Sequence, residues 1–256
     1  MRYGVLADVH GNLDALRAVL RALERHGVDR YLVAGDLVGY GPYPNECVAA
    51  LAELPATCVA GNHDLIALGA LSDRRCIELA RRSLRWTGQV LGPDERAFLA
   101  ALPRTATARG GVVVAHGSLD DPQEYTTTRE QALAQLERLE DRDGAQILVL
   151  GHTHRPLAFG RRSGWLGTKG ASALPVDAAV LLNPGAVGQS RELRARARFA
   201  VLDLDAREAR FFAIPFDIDA CRDALRRVGL SPRSCHLRPS LPRAAARAVR
   251  AAGRWR

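Results

Sequence analysis

Lysine is almost missing from this chain: Lys169 is the only one among 36 basic residues. The five cysteines are odd in number and contain no C-x-x-C spacing, which fits reduced thiols better than a disulfide framework. Reduced thiols in the cytoplasm are the expectation that follows. No run reaches the ~18 apolar residues of a membrane span, so no membrane partner is expected. The chain enters a strand-like segment within its first residues, so no signal peptide is expected there. What remains is an enzyme-sized chain of 256 residues, 47% hydrophobic, able to bury a core in one domain.

Acidic residues are scarce in one place only. Cys221 to Arg256 carries ten arginines against the single acid Asp223, a net of +9. Met1 to Ala220 holds 26 basic residues against 27 acidic ones and is close to neutral. The basic pI therefore belongs to the end of the chain, and it cannot make the whole domain a nucleic-acid binder.

Against these absences stands one dense stretch, Gly61-Asn62-His63-Asp64, after the short apolar run Thr57 to Ala60. A carbonyl ligand and a proton donor on adjacent residues suit a metal-assisted hydrolase. Alone, the tetrapeptide could be a polar turn. Its neighbours along the chain argue otherwise. Tyr3 to Ala7 reads as a strand ending at Asp8-Val9-His10. A helix follows with Leu13, Leu16, Leu20 and Leu23 on one face and Gly27 beyond its end. Tyr31 to Ala34 reads as a strand ending at Gly35-Asp36. Asp36 lies 26 residues after His10, and Asn62 lies 26 after Asp36. Successive βαβ units thus place polar residues at strand ends, where open α/β sheets hold their ligands.

The second half repeats the device without the spacing. Gly110-Gly111 marks a hairpin between Thr105 to Arg109 and Val112 to Ala115, whose end is His116. A charged helix from Arg129 to Asp141 leads to the strand Ile147 to Leu150, which ends at Gly151-His152-Thr153-His154. Short strands then follow at Val180 to Leu182, Phe199 to Leu204 and Ala209 to Pro215. Asp217 to Val228 is read as a final helix, and order beyond Gly229 is doubtful.

Five of the seven histidines (His10, His63, His116, His152 and His154) fall where an apolar run ends. One would ordinarily be a satisfied core residue; five, together with Asp8, Asp36 and Asn62, are hard to explain as packing. Imidazole and carboxylate groups suit Mn, Fe, Ni, Co or Zn. Eight such groups, one of them shared, are enough for two divalent ions.

These motifs resemble the five signatures of the calcineurin-like metallophosphoesterases, over roughly residues 1 to 219. The resemblance implies an α/β fold, a four-layer αββα sandwich of two mixed β-sheets. It implies that Asp8, His10 and His154 hold a first metal and that Asn62, His116 and His152 hold a second. Asp36 would bridge both, and His63 would be the general acid. The implied activity is a dinuclear metal-dependent phosphoester hydrolase with a metal-bridging hydroxide, foremost a phosphodiesterase. Dinucleoside polyphosphate hydrolysis and phosphoprotein or monoester phosphatase activity are the alternatives, and a non-catalytic scaffold ranks last because every ligand position is filled. Two ions match the height of the barrier, since phosphate ester hydrolysis can need accelerations of up to ~10²¹ and one general acid supplies typically ~10² to 10⁴.

Two departures stand out. Protein phosphatases and symmetrical dinucleoside tetraphosphatases of that family carry an arginine in the loop after the bridging aspartate, and the former have an aspartate before it. Gly39 and Tyr40 stand in those places here, which counts against a protein phosphatase and leaves Asp64 as the nearest group to orient His63. For substrate contacts the candidates are Tyr40, Tyr125, Asn183 and Arg191, the last two with Gln189 after the Asn-Pro-Gly segment at Asn183 to Gly185. Each has a plainer reading: a rigid loop before Pro44, an N-cap run before Arg129, and a turn leaving a strand. A small phosphoester or nucleotide is the expected partner. Domain limits are set at 1–229, with a basic tail over 230–256. In that tail Arg243, Arg247, Arg250 and Arg254 would share one helical face, which makes nucleic acid a second candidate partner, although a solvated tail explains the charge as well. Nothing in the sequence excludes an oligomer.

Overall fold

The central strands are buried runs, and the alternation of their side chains sets which layer each face joins. The computed structural model describes residues 1–168, 170–176 and 178–239. The first sheet takes β1 (Arg2–Leu6), β2 (Arg30–Val33) and β3 (Ala56–Cys58) in parallel, the consequence of two βαβ crossovers through α1 (Leu13–Arg25) and α2 (Pro44–Ala52). It continues antiparallel through β11 (Ala197–Asp203), β12 (Glu208–Ile214) and β9 (Gly170–Ala173), in the order β3-β2-β1-β11-β12-β9. The second sheet has the order β4-β5-β6-β10-β7-β8, from β4 (Thr105–Ala108), β5 (Val112–Ala115), β6 (Ile147–Val149), β7 (Pro156–Gly160), β8 (Gly164–Trp165) and β10 (Val180–Pro184). It too is mixed, with β5, β6 and β10 parallel and the rest antiparallel.

The two sheets lie back to back. Val5 and Leu32 point inward to meet Val112, Val114, Val149 and Leu182 of the opposite sheet in one core. The alternating residues Leu6 and Val33 point outward and are covered by Leu16 and Leu23 of α1 and Val48 and Leu51 of α2. On the far side Val113, Leu148 and Leu181 pack against Leu136 and Leu139 of α6 (Arg129–Glu140). This is the expected four-layer αββα sandwich. Each fully buried leucine of these layers is worth about 1.5–3 kcal/mol of transfer free energy.

Chain geometry between the sheets is what gathers the site. The strand expected over Thr57 to Ala60 spans Ala56–Cys58 instead, because Ala60 turns its N–H away to the Pro103 carbonyl at 2.8 Å, beside the start of β4. The chain after β3 thus leans across to the second sheet and delivers Asn62 and His63 between the two. The 38 residues from Leu65 to Leu102 are largely helical as expected, through α3 (Asn62–Ala67), a 3-10 turn (Asp73–Arg75), α4 (Glu78–Val90) and α5 (Pro93–Ala101), with the break at Gly92-Pro93.

Beyond α7 (Ile218–Arg227) the chain does not leave the surface. Leu230 and Cys235 are buried with Cys221 and Leu225 of α7. His236 then bridges in parallel to Ser190, and the Leu237 N–H donates to the Ser190 carbonyl at 3.0 Å. Residues 230–239, whose composition gives little sign of order, are thus laid along the loop after β10. The arginine-faced helix read over 241–252 lies outside the described residues.

Candidate metal centre and active-site cleft

Polar side chains converge from both sheets on one point. The end of β1 gives Asp8 and His10, that of β2 Asp36, and that of β3 Asn62 and His63; the second sheet gives His116 after β5 and His152 and His154 after β6. All are at most 7% exposed. The backbone pays a conformational cost to aim them: Asp8, His10, Asp36, Tyr40, His152 and His154 all have φ between 51° and 63°. Among the described residues only one other non-glycine, Arg207, shares that left-handed region. Such conformations cost of order 1–3 kcal/mol each and persist where the surroundings over-determine them.

Carbonyl groups fix three of the imidazoles. His10 Nδ1 donates to the Val38 carbonyl at 3.1 Å, His116 Nδ1 to Ala34 at 2.7 Å, and His154 Nδ1 to Gln189 at 2.8 Å. A carbonyl can only accept, so each Nδ1 carries the proton and each Nε2 turns inward, the arrangement of histidines that ligate metal. The inner atoms then crowd together with fewer donors than acceptors. Among the described residues, only the Arg191 guanidinium and the backbone N–H groups of His63 and His152 reach them. His10 Nε2 and His154 Nε2 are 3.2 Å apart, and His154 Nε2 is 3.3 Å from Asp8 Oδ1. His116 Nε2 faces Asn62 Oδ1 at 3.1 Å and Asp36 Oδ2 at 3.2 Å. Asp36 Oδ2 is also 3.6 Å from His10 Nε2, which places one carboxylate oxygen between the two clusters. Asp8 Oδ2 and His152 Nε2 are buried with no hydrogen-bond partner among the described residues. A cluster of lone pairs around orphaned acceptors is unfavourable unless a cation sits among them.

The titration behaviour of the bare groups says the same. Burial raises Asp8 to about 7 and lowers His152 to about 3, so both resist charge. His116 goes the other way: burial alone would lower it, but the Asp36 carboxylate outweighs that and raises it to about 9. A proton on His116 Nε2 then supplies the positive charge that its oxygen neighbours demand. Asp8 with His10 and His154, and Asp36 with His116 and His152, each bring ligand atoms within 4.8 Å of one another. The residues present therefore fit two metal ions, with Asp36 between them.

The chain matches the calcineurin-like phosphoesterase superfamily domain over residues 1–207. It belongs to that family. A curated relative, an uncharacterised protein of Methanocaldococcus jannaschii, is 29% identical over 217 residues, spanning 84% of this chain and 87% of its own. A metallophosphoesterase from Sphaerobacter thermophilus superposes with a TM-score of 0.78 at 32% identity, over 92% of this chain and 96% of the other. A hypothetical protein of Pyrococcus horikoshii OT3 has the same fold, with a TM-score of 0.76 at 18% identity over 91% and 96%. The chain is accordingly a phosphoric ester hydrolase, and the buried histidines and aspartates are groups that could bind metal.

His63 lies within the cluster, its N–H donating to Asp36 Oδ1 at 2.8 Å and its ring centroid 4.7 Å from those of His10 and Tyr40. Burial lowers His63 to about 4, so the bare ring is neutral. Its Nδ1 is buried and has no partner among the described residues. The reason is Gly39, with φ +84°: a Cβ there would stand 2.4 Å from His63 Nδ1. No aspartate could occupy that position without displacing the ring. Gly61 is constrained for a similar reason, since its Cβ would fall 2.1 Å from Asp36 Oδ1.

Asp64 does not take over the missing role. Its Oδ1 accepts from the Val38 N–H at 3.0 Å and its Oδ2 from the Gly61 N–H at 2.9 Å. The N3 residue of α3 thus caps the backbone of its N-cap glycine, which has no side chain to return the bond. Both oxygens hold backbone, so the expectation that Asp64 orients His63 is corrected: it holds the two loops that frame His63. Asn183 is corrected too. It lies outside the cleft lining, donating to the Gly151 carbonyl at 2.6 Å and Thr153 Oγ1 at 3.2 Å while accepting from the Gly185 N–H at 2.9 Å. It stiffens the loop that carries His152 and His154, and it has no donor left for phosphate.

The other expected contacts do line the cleft. Tyr40 is only 3% exposed and packs edge-on to His10, its phenol pushed up to about 12 by burial. Tyr125 is 46% exposed and lies 4.1 Å from the His152 ring. Arg191 reaches from Gln189 Oε1 (2.9 Å) to within 3.2 Å of His154 Nε2. Six lining residues escaped the sequence reading: Arg75, Cys76, Ile77, Ala80, Gln123 and Leu237. Arg75 crosses to Asp121 Oδ2 at 2.7 Å and the Gln123 carbonyl at 2.8 Å, tying the 3-10 turn to the loop after β5. Gln123 and Leu237 complete that lining. No periodicity marks Arg75 or Leu237, because each reaches the cleft from a distant segment. Pro42, Tyr43 and Pro44 are absent from the lining, and Pro44 begins α2.

Proposed function

We propose that this phosphoesterase is a dinuclear metal-dependent phosphodiesterase with His63 as its general acid. The supporting observation is the contrast among the buried histidines. His10, His116 and His154 are locked by carbonyls with one nitrogen turned to the metal cluster, whereas His63 Nδ1 and His152 Nε2 have no partner among the described residues. His152 groups with Asp36 and His116 at the second metal position. His63, whose ring lines the cleft, falls outside both named ligand sets. Two ions held by the first metal group (Asp8, His10, His154), the second (Asn62, His116, His152) and the shared Asp36 would polarise the phosphoryl group and lower the pKa of a nucleophilic water. His63 is then left to give a proton to the departing alkoxide. The neutral ring of the bare protein gains that proton as an anionic phosphate arrives, since a neighbouring negative charge favours the imidazolium.

The cleft walls support a diester rather than a monoester as substrate. Tyr40 stands where a clamping guanidinium would answer the second charge of a monoester. Ile77, 56% exposed, and Tyr125 offer apolar surface for organic groups on both sides of a diester phosphate. Arg191 remains as the guanidinium for a monoanion. Five unbridged cysteines support a reducing, cytoplasmic setting.

The test is a panel of bis-p-nitrophenyl phosphate, p-nitrophenyl phosphate and a dinucleoside tetraphosphate, after chelation and add-back of Mn, Fe, Ni, Co or Zn. The expected outcome is the highest kcat/KM on the diester, lost on chelation and restored by add-back. A faster tetraphosphate or monoester would overturn the diesterase reading.

A further inference from the structure

A second cavity borders the cleft on the far side of the chain segment 236–238. Leu237 lines the catalytic cleft, whereas its neighbours His236 and Arg238 line an open groove of about 480 Å³. That division is what an extended segment produces, since successive side chains point to opposite faces and His236 bridges to Ser190 as a strand would. Arg191 and Arg194, on the same loop, divide likewise between cleft and groove.

The groove is strongly cationic. Arg194, Arg222, Arg233 and Arg238 line it together with His236, and no carboxylate does. Arg222 is spent on Asp219 at 3.0 Å. The His236 ring is committed through Nε2 to the Glu192 carbonyl at 2.8 Å. Arg194, Arg233 and Arg238 are exposed and have no carboxylate partner among the described residues. Nearby acids are neutralised elsewhere: Glu192 pairs with Arg198, and Asp223 with Arg226. Three free guanidiniums around one concavity repel each other, and an anion with several oxygens relieves that repulsion while gaining forked hydrogen bonds.

We propose that this groove seats a second phosphate of the substrate, so that the substrates are short single-stranded oligonucleotides rather than isolated diesters. The reading rests on the phosphodiesterase assignment and extends it. The scissile phosphate lies at the metal centre, a base stacks on the exposed face of Tyr125, and the next phosphate passes Leu237 into the arginine groove. A stacking platform joined to a cationic track is the general construction for binding single strands. Leu237 is then the divider that sets where along the strand cleavage falls.

The experiment uses the full-length protein and two readouts. In the first, a fluorescein-labelled thymidine hexanucleotide is titrated by anisotropy across a salt series, in metal-free protein so that no turnover intrudes. The triple variant Arg194→Ala/Arg233→Ala/Arg238→Ala should weaken binding at least 10-fold at low salt. The slope of log affinity against log salt should fall by about 0.7, since the groove seats one phosphate and each phosphate contact on a single strand contributes about 0.7. The matching triple arginine-to-lysine variant should keep most of the slope, which separates charge from folding. In the second readout, on metal-loaded protein, the ratio of kcat/KM on the unlabelled hexanucleotide to that on bis-p-nitrophenyl phosphate should fall at least 10-fold in the alanine variant, through KM. An unchanged salt slope, or an equal loss on both substrates, overturns the groove as a phosphate seat. Displacement of the hexanucleotide from wild type by a dinucleoside tetraphosphate at lower concentration than by an unlabelled hexanucleotide overturns the oligonucleotide choice. Turnover of neither diester overturns the diesterase reading instead, and the binding readout keeps the two failures apart.

Discussion

The floor of the cleft and its walls were built by different rules. The floor consists of strand ends: Asp8, His10, Asp36, Asn62, His63, His116, His152 and His154 each follow a β-strand by a few residues. The walls come from wherever the chain happens to return, with Arg75 from a 3-10 turn, Tyr125 from a long loop and Leu237 from a segment beyond the last helix. Floor groups are held by backbone carbonyls, by left-handed φ angles and by contacts within 4 Å, and each is buried. Wall groups are held by exposed ion pairs and single contacts. Chemistry should therefore be brittle on the floor and tolerant on the walls, because a floor error of 1 Å removes a ligand and a wall error only loosens a fit.

The largest effect is expected at the junction of the two metal groups. Asp36→Asn removes one charge from the oxygen that lies between His10 and His116, so both ions should be lost together. The fall in kcat/KM should exceed the ~10² to 10⁴ that one general acid supplies. His10→Ala should weaken mainly one site. Elemental analysis of the two variants separates these outcomes, and an Asp36→Asn protein that keeps two tight ions would break the assignment of Asp36 as the shared ligand.

Next comes His63→Gln, which tests whether every floor histidine is a ligand. Metal content should stay at the wild-type level. The rate should fall by ~10² to 10⁴ with an alkyl or nucleoside leaving group and by much less with p-nitrophenolate, which departs without a proton. Equal losses on both would remove the general-acid role, and lost metal would make His63 a ligand.

How much could be read from the sequence divides along the same line. The αββα fold and the floor were legible because a buried strand must show an apolar run, and a polar residue at its end is conspicuous against it. The 26-residue rhythm from His10 to Asp36 to Asn62 added the βαβ topology. What could not be read was the use to which polar groups near the floor are put. Asp64 stands next to His63 in sequence, yet its carboxylate is consumed by the N–H groups of Val38 and Gly61, contacts that depend on two loops meeting. Asn183 shares a motif with the site and serves the loop beneath it. Burial of the tail residues Leu230 and Cys235 depends on α7, 218–227, folding back first, and composition alone gives no sign of it.

Asp64→Ala is an intermediate case, since it breaks a support without touching the chemistry. Two buried N–H donors would lose their partner, at about 1–3 kcal/mol each. A fall in Tm of several degrees is expected with metal bound. The loss of kcat should be the same for both leaving groups, unlike that of His63→Gln. A leaving-group-dependent loss would restore Asp64 as a partner of His63 and undo the distinction drawn between them.

The smallest effect is expected on the wall, at Arg75→Ala. Its guanidinium joins the 3-10 turn to Asp121 and to the Gln123 carbonyl, but its side chain is 56% exposed and that of Asp121 43%. Exposed pairs of this kind are worth about 0–1 kcal/mol. The stability change should be near the limit of detection, and the metal content unchanged. What the bond does is hold the loop that carries Tyr125 against the α3–α4 side of the cleft. Without it the wall opens more often, and a bulky diester loses part of its fit while the reacting groups stay in place. KM should therefore rise by no more than about tenfold, the equivalent of ~1.4 kcal/mol, with kcat unaltered. Salt supplies an independent check, because an exposed ion pair is screened as ionic strength rises. Wild-type KM on bis-p-nitrophenyl phosphate should climb toward the Arg75→Ala value in high salt, and the variant should respond less. A fall in kcat, or a variant as sensitive to salt as wild type, would mean that this wall belongs to the rigid floor after all.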